Sequence, residues 1–356
     1  MKALSLFSGI GGLDLAAQAC GIEPVAFCEI EPFPAEILKK RFPGVPVLPD
    51  VREVNGADYR GTVDVIFGGF PCQDLSVAGR KAGLIDGEGN VTRSGLWFEM
   101  LRIISEARPR FVVTENVRGA INAALDTVTR GLARGGYEVR TIVIPASALG
   151  APHQRERIFV VGVADSCFAR LQGREFDRRN SEKARRTTPE CGEVGCFDVW
   201  RTPDAKADRG AMSEELYQRR IAEGRPININ AQVAHEERNW PTVTTKTSRG
   251  ERAGQYQHNK NHSAHLINIV EANDKSNRKG QLNPCWVEQL MGYPDGWTDP
   301  DCDAPTPWMG WPARPGEPQY PYEHPRTVVG MKNRSKRLKA LGNSVVPQQA
   351  RPILRQ

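Results

Sequence analysis

Four residues along the first half of the chain have side chains suited to covalent chemistry on a ring. Cys72 sits in "GGFPCQDLS" (68–76), Glu115 closes "FVVTEN" (111–116), and Arg155 and Arg157 lie in "PHQRERIFVVG" (152–162). A thiol beside a helix N-terminus or a cation is stabilised as thiolate and becomes a nucleophile. A cysteine that only packs as a small hydrophobe is the plain alternative. A carboxyl buried at a pocket has its pKa raised and can donate a proton. Arginine is a donor-only group suited to a carbonyl oxygen or a phosphate, and Arg155 and Arg157, at alternate positions at the start of the last strand, are expected on one face.

These residues need a scaffold that brings them together. Short apolar runs recur at 3–7, 24–30, 63–67, 110–114, 139–144 and 158–163, separated by helical spacing at 13–20, 33–41, 96–107 and 120–134. Strand alternating with helix predicts an α/β fold, a doubly wound, mostly parallel Rossmann-like sheet over 1–164. Cys72 then lies just past a strand end, at the sheet edge where ligands bind, and Glu115 shares that edge. The glycine-rich stretch at 76–95 has no apolar period and reads as a lid.

The first strand runs into "FSGIGGLDLA" (7–16), whose Gly9, Gly11 and Gly12 allow close backbone approach at a strand-to-helix turn. Glu29 and Asp50 follow at the ends of the next two strands. An acid about 20 residues past such a turn can grip a ribose hydroxyl. NAD and S-adenosylmethionine both carry adenosine, so these residues alone do not choose between them.

The chain has 356 residues, a formal net charge of +6 and eight cysteines. Its length allows two domains, and its sparse cysteines suit a reducing compartment, hence the cytoplasm. No segment approaches the ~18 uninterrupted apolar residues of a membrane span. No metal is expected, because Cys191 and Cys196 with His258, His262 and His265 match no usual ligand spacing. From His324 onward there are eight basic residues and no acidic one, a run that suits either a solvated helix or a phosphate-contacting face. Residues 165–325 are polar and weakly periodic at first, then turn apolar at 282–298 and proline-rich at 305–325, read as a linker or surface loop. "WRTPDAKADRG" (200–210) and "WPTVTTKTSRG" (240–250) echo one another 40 residues apart.

In this order the blocks "LFSGIGGLDLA", Glu29, Asp50, "GGFPCQDLS", "TENV", "QRERIFVVG", "VEQLMGYPDGWT" and "LGNSVVP" closely resemble the DNA cytosine-5 methyltransferase family. The resemblance implies a methyl transfer from S-adenosylmethionine to C5 of a cytosine in double-stranded DNA, with the base flipped out of the duplex. By it Cys72 adds to C6, Glu115 acts on N3, Arg157 holds O2 and Arg155 supports the site. Phe7, Gly9, Gly11, Glu29, Asp50, Pro71, Leu96 and Asn343 would line the cofactor pocket, and Ser76 would contact a phosphate.

The resemblance further implies a catalytic domain at 1–164, a target-recognition domain and linker at 165–325, and a segment at 326–356 that returns to the first domain. Lys206, Arg209, Lys246 and Arg249 are the expected DNA contacts in the middle region, against ordinary surface cations. The protein is expected to act as a monomer in the cytoplasm, and a cognate restriction endonuclease is a partner the resemblance allows. An NAD-dependent oxidoreductase, a DNA-binding protein with a vestigial catalytic domain and an RNA cytosine-5 methyltransferase are the rival readings. No Asp-Pro-Pro-Tyr or Asn-Pro-Pro-Tyr motif occurs, which speaks against adenine or N4-cytosine modification.

Overall fold

Val65–Gly68 is buried at every position, as expected of a strand covered on both faces by helices. It is one strand of a seven-stranded sheet in a computed structural model that describes residues 1–71, 93–117, 124–164 and 281–355. These belong to one compact unit formed by Met1–Ala169 together with Trp240–Gln356.

The strands are β1 (Lys2–Leu6), β2 (Glu23–Cys28), β3 (Val47–Leu48), β4 (Val65–Gly68), β5 (Phe111–Val117), β6 (Tyr137–Ile144) and β7 (Arg157–Ala164). Their spatial order is β3-β2-β1-β4-β5-β7-β6. β3, β2, β1, β4 and β5 pair in parallel, and β7 runs antiparallel between β5 and β6. The fold class read from sequence therefore holds. The strand expected before Asp50 is the two-residue β3, and beyond the expected pattern the structure adds the reversal of β7. Strand order changes direction between β1 and β4, and in open α/β sheets the crevice at such a point is where ligands bind.

The helices follow sequence spacing. In α3 (Trp97–Ala107) the buried residues are Trp97, Met100, Ile103, Ile104 and Ala107, the single stripe of an amphipathic helix. It ends at Arg108, in the left-handed conformation, ahead of Pro109. α1 (Gly12–Gln18), α2 (Pro32–Arg41) and α4 (Leu125–Arg134) complete the first part.

After residue 280 a two-stranded ribbon, β8 (Gln281–Leu282) with β9 (Thr327–Val328), brackets α5 (Pro284–Leu290). Then come α6 (Arg334–Asn343) and α7 (Pro347–Leu354). Trp286, Val287, Leu290, Tyr293, Leu338 and Leu341 share one buried cluster with Ile10, Phe27, Ile37 and Leu38. Ala350, Ile353 and Leu354 of α7 pack with Leu13, Ala16 and Ala17 of α1.

Polar ties reinforce the junction. Arg41 donates to the carbonyls of Gly296, Trp297, Asp299 and Cys302, and Trp297 Nε1 donates to Ile10 O at 2.8 Å. The proline-rich stretch 305–325 is a packed surface loop. Trp308 and Trp311 meet edge to face at 4.7 Å and donate to the carbonyls of Gln289 and Leu149.

The basic C-terminal run is largely structural. Arg337 is fully buried, 2.9 Å from Glu288 and 3.1 Å from Asp299; Arg334 donates to Leu282 O; Arg326 lies beside Glu323. Lys332 and Lys339 pair with Asp301 and Glu31. Burial thus withdraws Arg326, Arg334 and Arg337 from the phosphate-contacting face that charge counting allows, whereas Lys332 and Lys339 form exposed surface pairs.

Candidate active site

The sheet register explains how residues far apart in sequence converge. Cys28, Leu6, Gly68 and Thr114 pair across β2, β1, β4 and β5 as one row. The next residue on each strand is Glu29, Phe7, Gly69 and Glu115, so four neighbouring positions of the C-terminal edge hold the glycine turn, both acids and the approach to Pro71. Because β7 is antiparallel, its first residue, Arg157, arrives at this edge paired with Val117.

Glu115 Oε1 lies 2.6 Å from Arg157 Nε. Burial raises the Glu115 pKa, and the Arg157 and Arg155 charges oppose that rise. A Cβ placed on Gly69 would lie 2.7 Å from Glu115 Oε2, so only glycine leaves room for this carboxyl. Asn116 Nδ2 donates to Phe70 O at 3.2 Å, pinning the end of β5 to the chain that leads into Pro71. Spacing does not reveal either contact. The paired glycines of "GGFPC" and the Asn after Glu115 were the signals available. Cys72 and Ser76 lie outside the described residues, as does the lid stretch through residue 92.

Arg155 and Arg157 do not share a role. Both are buried, at 2% and 8% exposure, but Arg155 precedes the strand with φ of 29°, so strand alternation does not reach it. Its Nη2 donates to Gly342 O at 3.0 Å and to Ser344 O. Gln349 Nε2 donates to Arg155 O at 2.8 Å and to Ile144 O at 2.7 Å, so α7 latches the start of β7.

The glycine turn has one open place. A Cβ on Gly9, at φ of 55°, would meet nothing within 4 Å, whereas one on Gly11 would press on Phe42 and one on Gly12 would press on Tyr293 and Val345. Phe7 also has a positive φ, 53°. Glu29 accepts Gly9 N at 2.7 Å and Glu31 N at 2.8 Å, one on each oxygen, and burial raises its pKa. Each oxygen keeps a lone pair for a hydroxyl donor. Next to it in the chain Ile30 is 65% exposed, a large apolar side chain past the end of β2 that reading the sequence for charges passes over.

Asp50 caps the turn that follows it and is engaged by Arg52 Nε and Nη2, which lowers its pKa. A further donor would have to share that carboxylate with Arg52. Leu96 is half-buried against the core, and Asn343 is exposed at the end of α6. Pro71 is the last described residue before Cys72. Lys206, Arg209, Lys246 and Arg249 lie outside the described residues.

Among the described residues Cys285, Glu288 and Asp295 place ligand-type atoms within 4.8 Å of one another. Arg337 donates to both Cys285 Sγ and Glu288 Oε1, so a guanidinium fills this cluster. No helix among the described residues is long and apolar enough to cross a membrane.

A model of the C-5 cytosine-specific DNA methylase family matches residues 1–304. The chain belongs to this family.

Among curated relatives of this methylase, the Type II methyltransferase M.Eco47II of Escherichia coli is 37% identical over 166 residues, 45% of the chain and 39% of that protein. M.NgoFVII of Neisseria gonorrhoeae is 35% identical over 196 residues, 54% of the chain and 49% of that protein. The matched stretch thus spans less than half the length of these two relatives. The S. pombe Dnmt2 methyltransferase structure superimposes with a TM-score of 0.53 over 99% of the chain and 97% of its own, at 15% identity, a likeness of fold.

Proposed function

We propose that this methylase transfers a methyl group from S-adenosylmethionine to C5 of a cytosine within a specific sequence of double-stranded DNA, through a covalent Cys72 adduct. The observation that carries the reading is the Glu115–Arg157 pair at 2.6 Å, held on the sheet edge beside the strand exit that leads to Cys72, in a chain of the cytosine-5 family.

The residues around the glycine turn fit the cofactor: open space at Gly9, a half-buried acceptor for ribose hydroxyls at Glu29, and the exposed apolar side chain of Ile30 for an adenine ring. Phe7, Gly11, Asp50, Pro71, Leu96 and Asn343 complete the proposed pocket. When bound, S-adenosylmethionine supplies an electrophilic methyl group.

On the base, Cys72 Sγ forms a bond to C6, and the C5–C6 π pair is displaced towards C5. Glu115 gives or shares a proton at N3, while Arg157 holds O2 and accepts the charge that builds there. C5 takes the methyl group as the donor's S–CH3 bond breaks. Loss of the C5 proton to a water, with the N3 proton returned to Glu115, then restores the electron pair to the C5–C6 bond as the Cys72–C6 bond breaks, regenerating the ring, the thiolate and the acid.

Target recognition is assigned to the middle of the chain, 165–325, with Lys206, Arg209, Lys246 and Arg249 as contacts. Its described part, 281–325, belongs to the same compact unit as residues 1–164. The protein acts as a monomer in the cytoplasm, and its similarity to Type II methyltransferases supports a restriction-modification setting with a cognate endonuclease. The test is methyl incorporation from labelled S-adenosylmethionine into duplex DNA and into tRNA. Incorporation into duplex cytosine is expected. Label confined to tRNA would transfer the reading to RNA, and no incorporation into either would overturn it.

A further inference from the structure

We infer that Arg155 is a positioning residue for the cofactor side of the site, acting through Asn343; this rests on the functional reading above. The last carbonyls of a helix lack partners within it. At the end of α6 the Arg155 guanidinium supplies them, donating to Gly342 O and Ser344 O, the two carbonyls that flank Asn343.

A cation at a helix C-terminus is favoured by the helix dipole, and one guanidinium bonded to both sides of a residue fixes its backbone. Two other ties hold the same turn: Ser344 Oγ donates to Leu341 O at 2.9 Å, and Tyr293 OH to Val345 O at 2.9 Å. The positive φ at Arg155 is uncommon for a side chain of this size. It takes the residue out of the alternation of β7, and Gln349 secures its carbonyl. The guanidinium therefore spans from the strand that carries Arg157 to the turn that presents Asn343. Tightening that turn orders the cofactor contact that Asn343 supplies.

The experiment measures the Kd for S-adenosylhomocysteine by calorimetry, alongside KM for S-adenosylmethionine and kcat, in R155Q, R155K, N343A, the R155Q/N343A double variant and R157K. Losing charge-assisted hydrogen bonds at a buried site should raise Kd and KM in R155Q by about 10-fold, with a smaller change in kcat. R155K, whose ammonium can reach one carbonyl, should fall between R155Q and the parent. The double variant should bind no worse than the weaker of its two parents, because both act on one contact.

R157K should show the opposite split, with kcat reduced and Kd kept. The proposal is overturned if R155Q binds S-adenosylhomocysteine as the parent does while kcat falls, or if the effects of R155Q and N343A on Kd simply multiply. Should R155Q not fold, R155K against N343A gives the same comparison. If the unsubstituted protein binds no S-adenosylhomocysteine, the functional reading itself fails and this inference with it.

Discussion

Arg157 Nε and Glu115 Oε1 stand 2.6 Å apart, two rungs from direct register across the antiparallel β5–β7 pair. Reversal of β7 makes this contact possible. A parallel β7 would carry its first residue to the far edge of the sheet, away from Gly69 and Pro71. The pair ties the carboxyl to a cation while burial pushes its pKa up, and the proposed mechanism uses that carboxyl as the acid at a ring nitrogen. Replacing Glu115 with Gln should slow methyl transfer by about 10² or more, because general acid catalysis contributes on that scale. Single-turnover transfer of labelled methyl groups checks this, and a rate within a few-fold of the parent would exclude Glu115 as the acid.

Gly69 offers a steric test of the same carboxyl. In Gly69→Ala the new Cβ would sit 2.7 Å from Oε2, closer than real contacts allow, so Glu115 must move. A displacement of about 1 Å at a reacting group can cost on the order of 10² in rate. The variant should lose methyl transfer on that scale and still bind S-adenosylhomocysteine by calorimetry. Normal turnover would show that Glu115 can work from another position.

The buried Arg337 node should dominate the stability of the C-terminal part. Arg337 bonds to Glu288, Thr298, Asp299 and Cys285, and Glu288 also accepts the backbone amides of Gly296 and Thr298 at 2.8 Å. Removing one partner leaves a buried charge without its counterpart, so Arg337→Met should destabilise the protein by about 3–5 kcal/mol. Urea denaturation followed by tryptophan fluorescence reads this directly. A loss under about 1 kcal/mol would mean that the node adds nothing beyond packing.

Two buried groups give stability a pH dependence of opposite signs. Asp14 lies fully buried, with Ser5 Oγ donating to it at 3.0 Å, and burial raises its pKa from 3.8 to about 7. Between those values the folded chain holds a proton that the unfolded chain has lost, so this contribution to stability falls as pH rises. His153, whose Nε2 bonds to Leu290 O, has its pKa lowered by burial from 6.5 to about 3. There the unfolded chain holds the extra proton, and stability rises with pH across that window.

Asp14→Asn removes the first effect only. The stability of the variant relative to the parent should therefore grow by about 1.4 kcal/mol per pH unit from about pH 4 to about pH 7. Urea titrations at pH 4.5, 5.5 and 6.5 would show it. A constant difference would mean that Asp14 is ionised in the fold.

Much of this arrangement was legible in the residues. Continuous apolar runs mark strands buried on both faces, so β1, β2, β4 and β5 stand where the periodicity puts them, and Glu115 follows as the residue after the Gly68–Thr114 row. Direction and partner choice were not legible. Nothing in "RIFVVG" states that the strand runs backwards, because alternation looks the same read either way.

The arginines show a second limit. Their spacing of two suggested one face, but the positive φ at residue 155 sends that side chain to a helix end more than 180 positions away in sequence. Charge counting likewise could not tell a phosphate-binding cation from Arg337, since a buried carboxylate 49 positions distant decides its environment. Long-range pairing of this kind depends on tertiary packing, which local patterns do not encode.

Bisulfite sequencing of DNA from cells expressing the protein tests the central claim most directly, with Cys72→Ser expressed in parallel. Cytosine-5 methylation predicts protected cytosines confined to one short sequence context with the unsubstituted protein, and none with Cys72→Ser. Absence of protected cytosines with the former, or the same protected sites with the latter, would contradict the account.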